Sequence, residues 1–126
     1  MNTSELCSMS ISEASLLISQ KELKPTELVE AHLNRIEKTN GKLNAFINVM
    51  IKEAIERANF VESEIQKGNY KGPLQGIPIG LKDLFNTKGV RTAAGSLVMA
   101  DFMPPANSTV VNRLLEAGAI ITGKLQ

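Results

Sequence analysis

Apolar positions along the chain change their rhythm near its middle. In the first half they recur at helical spacing. Ser10 and Glu13 stand three apart, as in a capping box, and Ala14, Leu16, Leu17 and Ile18 follow; the pattern predicts a helix ending near Lys21. Pro25 then occupies a first helical position, with Glu27 and Glu30 in the opening turns. Leu28, Val29, Leu33 and Ile36 mark a buried stripe on this second helix, and Asn40-Gly41 supplies a stop. The segment LNAFINV, Leu43 to Val49, reads either as an extended segment or as the entry to the next helix. From Ile51, the positions Ala54, Ile55, Ala58 and Ile65 predict an amphipathic helix ended by Gly68, with its Glu and Lys residues on the solvated face.

Between Gly72 and Gly95 the chain reads GPLQGIPIGLKDLFNTKGVRTAAG. Glycine and proline between short apolar runs favour strands and tight loops over helix. Ile77 to Leu81 is predicted as a strand, with Pro78 at its start or on an edge. Asn107-Ser108-Thr109 offers capping side chains for a helix through Val110, Val111, Leu114 and Leu115, which Gly118 ends. Ala119-Ile120-Ile121 then reads as a buried strand. Helix, glycine turn, apolar strand is the rhythm of an α/β layered fold. No repeat, low-complexity stretch or linker divides the chain, so residues 1–126 are read as one unit.

Composition narrows the function. Lys plus Arg number 14 and Asp plus Glu 13, and a formal charge of +1 gives no electrostatic case for nucleic acid. Cys7 is the single cysteine and His32 the single histidine, so neither an internal disulfide nor a metal site is expected. His32 lies within the helix begun at Pro25 and reads as a partly exposed polar residue. The start, MNTSELCSMSISEAS, lacks the basic and apolar regions of a signal peptide, and no run approaches the roughly 20 apolar residues of a membrane span. A reducing, cytoplasmic setting without membrane contact is expected.

The candidate chemistry sits at Lys82, where the apolar strand gives way to a loop. Functional side chains gather at strand ends in α/β folds. A lysine there is either partly desolvated and able to act as a base, or an ordinary exposed lysine beside Asp83. Asp83 either holds the loop or assists Lys82, and the loop-holding role is the favoured one because carboxylates readily cap local backbone amides. Gly76, Gly80 and Gly95 serve backbone geometry and close packing, and GIPIG matches neither a P-loop nor a dinucleotide fingerprint. Ser96 is a loop residue that could edge a pocket, Ser108 a helix cap, and Met99 and Met103 apolar filler near a loop.

Gly72 to Ser96 resembles the opening motif of the amidase signature family. The pattern G-x-L-x-G-I-P-I-x-x-K-D, then a loop, then T-x-x-x-S, is met by Gly72, Leu74, Gly76, Ile77, Pro78, Ile79, Lys82, Asp83, Thr92 and Ser96. The next segment, DFMPPANSTVVNRLLEAGAIITGK, is similar to the family's continuation, and the leading helices and LNAFINV resemble its N-terminus. The resemblance implies an α/β fold, a mixed sheet flanked by helices, of which this chain holds an incomplete N-terminal portion. It implies hydrolysis of a small-molecule carboxylic amide by a Ser–cisSer–Lys triad, with Lys82 as the lysine and with no cofactor or metal. The family's glycine- and serine-rich tract, source of both serines and the oxyanion hole, lies beyond the region seen here, and no GGSSGGS-like run occurs in the chain. Alone, the chain is therefore expected to be inactive and, with strand edges uncovered, to self-associate. Three readings stay open. The parent is a free-standing amidase, to which the loop KDLFNTKGVRTAAGS is more similar, or the amidase subunit of a tRNA-dependent amidotransferase. In the third, the chain is a non-enzymatic remnant or interaction module.

Overall fold

In the computed structural model all 126 residues are described, and five helices pack around a three-stranded sheet. The elements run α1 (Thr3–Ser8), α2 (Ile11–Ser19), α3 (Pro25–Leu43), β1 (Phe46–Val49), α4 (Ile51–Gln66), β2 (Pro78–Lys82), α5 (Thr109–Glu116) and β3 (Ile120–Leu125). The sheet order is β1-β3-β2: β1 pairs antiparallel with β3, and β2 pairs parallel with it. The mixed sheet and its helices agree with the α/β expectation. No helix is long and apolar enough to cross a membrane.

Local signals set the helix ends. Ser10 caps α2 in a full capping box with Glu13, and Pro25 opens α3. Ser108 caps α5 by accepting a hydrogen bond from the Val111 N–H. Gly68 and Gly118 follow α4 and α5 at φ +90° and +87°, the left-handed turn that closes a Schellman motif. In each case the glycine N–H bonds back three residues (to Ile65 and Leu115), and the next N–H bonds back five (to Glu64 and Leu114).

Three expectations need correction. The α3 helix runs through Asn40-Gly41 to Leu43, and Asn44 takes the left-handed cap at φ 50°. The Asn40 side chain instead brackets Phe46, donating to its carbonyl and accepting from its N–H. A short helix, α1, precedes the first one expected, capped by an Asn2–Glu5 box. Met99 and Met103 are exposed and fill no core; in the same loop Leu97 and Val98 are 95% and 96% exposed.

The main core joins helices to sheet. Ile18, Leu28, Val29, Ala54, Ala58 and Val61 pack with Ile77 and Ile120. Full burial of each Leu, Ile or Val side chain contributes about 1.5–3 kcal/mol. A second, smaller cluster of Met50, Leu81, Val111 and Ile121 lies under the loop that leaves β2, with Phe85 and Val90 packed on it.

Candidate active site

Parallel pairing brings the carboxyl ends of β2 and β3 to one edge of the sheet, where ligands settle in many α/β proteins. Leu81 stands opposite Lys124, and Lys82 opposite Leu125. The pleat then divides the two lysines. Lys82 is exposed and takes part in none of the chain's three ion pairs. Lys124 shares the Leu81 side of the sheet and is 0% exposed. Gly80 makes room for Leu125, the partner of Lys82 across the sheet: a Cβ there would lie 2.9 Å from Leu125 Cδ1.

The loop after Lys82 folds over Lys124. Lys124 Nζ donates to the Phe85 carbonyl at 2.6 Å, to Thr87 Oγ1 at 2.9 Å and to Thr92 Oγ1 at 3.0 Å. The Asp83 carboxylate stands 4.0 Å away. Burial pushes the Lys124 pKa below its ordinary value, and the negative charge of Asp83 pushes it back up. Asp83 is buried too, and its Oδ2 accepts from the Ala93 N–H while its carbonyl accepts from Ala94. Its N–H reaches the Leu125 carbonyl, extending the ladder by one rung. The loop-holding role read for Asp83 is the one its bonds describe.

The other sequence candidates fall outside this cluster. Ser96 is half-buried; its N–H donates to Ala93 and its carbonyl accepts from Met99, both loop contacts. His32 is half-buried on α3, with Nδ1 2.9 Å from the Leu28 carbonyl. Cys7 donates weakly to the Ala31 carbonyl, and burial raises its pKa while Arg35 lowers it. No group of three or more His, Cys, Asp or Glu side chains is placed to hold a metal ion. Sequence reasoning missed Lys124. Its only local signal was a lysine ending an apolar strand, the same signal that singled out Lys82.

Fold and site together define an α/β protein whose candidate chemistry lies at the carboxyl ends of adjacent parallel strands. The family model described as Amidase matches residues 27–126, and the chain belongs to that family. It is 45% identical over 121 residues to a glutamyl-tRNA(Gln) amidotransferase subunit from Anaeromyxobacter dehalogenans (strain 2CP-C), covering 96% of this chain and 25% of the relative. Its fold superposes on the native peptide amidase from Stenotrophomonas maltophilia with a TM-score of 0.86 at 34% identity, over 94% of this chain and 25% of that one. A fatty acid amide hydrolase shares the fold at a TM-score of 0.93, with 24% identity, over 98% of this chain and 22% of that one. The chain thus spans about a quarter of the length of the relatives it matches.

Proposed function

We propose that this chain is one continuous part of an amide-hydrolysing domain and supplies its lysine base, Lys82. The observation that supports this reading is place: Lys82 ends a parallel strand, at the sheet edge where α/β proteins bring ligands, within the segment that carries the family motif. A serine hydroxyl at its free pKa is a poor nucleophile and needs an adjacent base. In the Ser–cisSer–Lys arrangement the attacking serine gives its proton through a second serine to the lysine amine as its oxygen bonds the amide carbon. The C–N bond then breaks, the ammonia or amine leaves with that proton, and a water hydrolyses the acyl-serine to release the acid and restore the serine. No cofactor enters that scheme. A lysine base must be held in its neutral form, which water opposes. Lys82 is exposed here, so the cover, both serines and the oxyanion donors come from outside these 126 residues. By itself the chain turns over no amide.

A second reading is favoured by the 45% identity to an amidotransferase subunit. In it the amide is that of glutamine, and the ammonia passes to a mischarged tRNA held by partner proteins. Both readings place the chain in a reducing, cytoplasmic setting and share the role of Lys82. As an isolated chain it self-associates through uncovered strand edges and the exposed Leu97-Val98 loop.

The test is a chimera in which this chain replaces the matching 121 residues of the Anaeromyxobacter dehalogenans protein within its assembled enzyme. Glutamine hydrolysis should be retained by the chimera and abolished by Lys82→Ala. Undiminished hydrolysis in the Lys82→Ala chimera would refute the assignment of Lys82 as base.

A further inference from the structure

Lys124 is a fully buried cation that the proposed chemistry does not use. Its three acceptors, the Phe85 carbonyl, Thr87 Oγ1 and Thr92 Oγ1, all belong to the loop that starts at Lys82. The two hydroxyl hydrogens are committed elsewhere: Thr87 Oγ1 donates to the Phe85 carbonyl at 3.1 Å, and Thr92 Oγ1 to the Val90 carbonyl at 3.1 Å. Both hydroxyls therefore turn lone pairs toward Nζ. A neutral amine has two hydrogens and a lone pair of its own, which would face an oxygen lone pair at one of the three contacts. An ammonium has three hydrogens and satisfies all three. The Asp83 carboxylate, 4.0 Å off, supplies the balancing charge. The hydrogen count thus sets Lys124 apart from any lysine base, which must be free to receive a proton.

We propose that Lys124 is a positioning residue, a buried ammonium that pins the 83–92 loop and, through Asp83, the strand end that carries Lys82. The ties are direct. Asp83 follows Lys82 in the chain, its N–H is bonded to Leu125 and its Oδ2 to Ala93. With Lys124 removed, three oxygens and one carboxylate lose their cation inside the protein, and no second buried cation holds the loop down. The catalytic meaning of the pin rests on Lys82 being the base; the pin itself does not.

The closing experiment separates the two. In the 15N-labelled 126-residue chain at neutral pH, Lys124 should give an NH3+ resonance protected from solvent exchange, missing in Lys124→Met. A neutral-amine resonance for Lys124, or none that is protected, overturns the proposal. Amide exchange is the second readout. In Lys124→Met the amides of Asp83, Thr92, Ala93 and Ala94 should exchange at least about tenfold faster, the loss of a hydrogen bond to a charged group being enough for that. Val29 and Ala58, in the helical core, should keep their rates. Uniform acceleration, or none, would mean that the loop is not what Lys124 holds. If Lys124→Met does not fold, Thr92→Val removes one acceptor and keeps the charge. It should speed exchange at Ala93 and Ala94, and unchanged rates there overturn the pin. In the chimera, Lys124→Met should lower kcat with KM little changed, and Lys124→Arg should not restore it, because a planar guanidinium cannot meet three converging oxygens. Full kcat in the Lys124→Met chimera overturns the link to Lys82, and an inactive parent chimera counts against the Lys82 reading while leaving the exchange result to decide the pin.

Discussion

Gly68 and Gly118 offer a matched pair for weighing backbone strain against crowding. Both close a Schellman turn at nearly the same φ, +90° and +87°. A Cβ on Gly68 meets nothing within 4 Å. A Cβ on Gly118 would sit 2.6 Å from Gln75 Cγ, 2.9 Å from its Cβ and 3.0 Å from its Cα. Gln75 cannot simply step aside. It is 2% exposed, its side chain accepts from the Lys71 N–H and donates to the Asn69 carbonyl, and the next residue's N–H bonds to the Gly118 carbonyl. Gly68→Ala carries the left-handed penalty, about 1–2 kcal/mol, partly offset by a stiffer unfolded chain, for a net loss of about 1 kcal/mol. Gly118→Ala adds an overpacking cost of about 1–3 kcal/mol and should lose about 2–4 kcal/mol in all. Urea unfolding followed by circular dichroism reads the difference. With an unchanged slope, the Gly118→Ala midpoint should lie roughly 1 M below that of Gly68→Ala. Coincident midpoints would show that the Gln75 joint yields freely and would refute the crowding argument.

Other outcomes follow from single contacts. The Ser10 backbone N–H and hydroxyl hold the Glu13 pKa below its ordinary value. Its folded pKa is depressed, so its contribution is full above the ordinary carboxylate range and is lost as pH falls through the lowered value. Glu13→Gln keeps an acceptor for the capping box, so melting temperatures of the two proteins should converge in acid; a constant gap across pH would contradict this. Ser108→Ala should cost about 1 kcal/mol by removing the cap of α5, read as a lower urea midpoint; no loss would mean that the Val111 N–H finds water as readily. Sedimentation of the isolated chain should show dimers or larger species, and Leu97→Ser with Val98→Ser should shift them toward monomer. A clean monomer in the unaltered chain would remove the case for self-association.

What the sequence disclosed is what neighbours in the chain decide. The Ser10–Glu13 box, Pro25 at a helix start, the Ser108 cap and the two glycine stops are relations over a few residues, and each stands where it was read. The Asn40-Gly41 stop failed because the Asn40 side chain is claimed by Phe46, a contact that composition does not announce. The short α1 was passed over although Asn2 and Glu5 carry the same box spacing as Ser10 and Glu13. At the site, the motif drew attention to Lys82 and Asp83. Nothing local separated the exposed lysine from the buried one. That difference is set by the register between β2 and β3 and by a loop 32 to 39 residues earlier in the chain.

The place of β3 in the sheet also bears on how a nascent chain matures. Of the three strands described it comes last in the chain, yet both β1 and β2 pair with it. Helices α1, α3 and α4 can gather as they leave the ribosome, since their contacts with one another are near in sequence. The two earlier strands must wait with open backbones until Ile120 and its neighbours are made, and closing those long loops is slow. A stall before that point would leave polypeptide ready to pair with foreign chains, so the codons for β3 decide whether the two earlier strands are protected from aggregation.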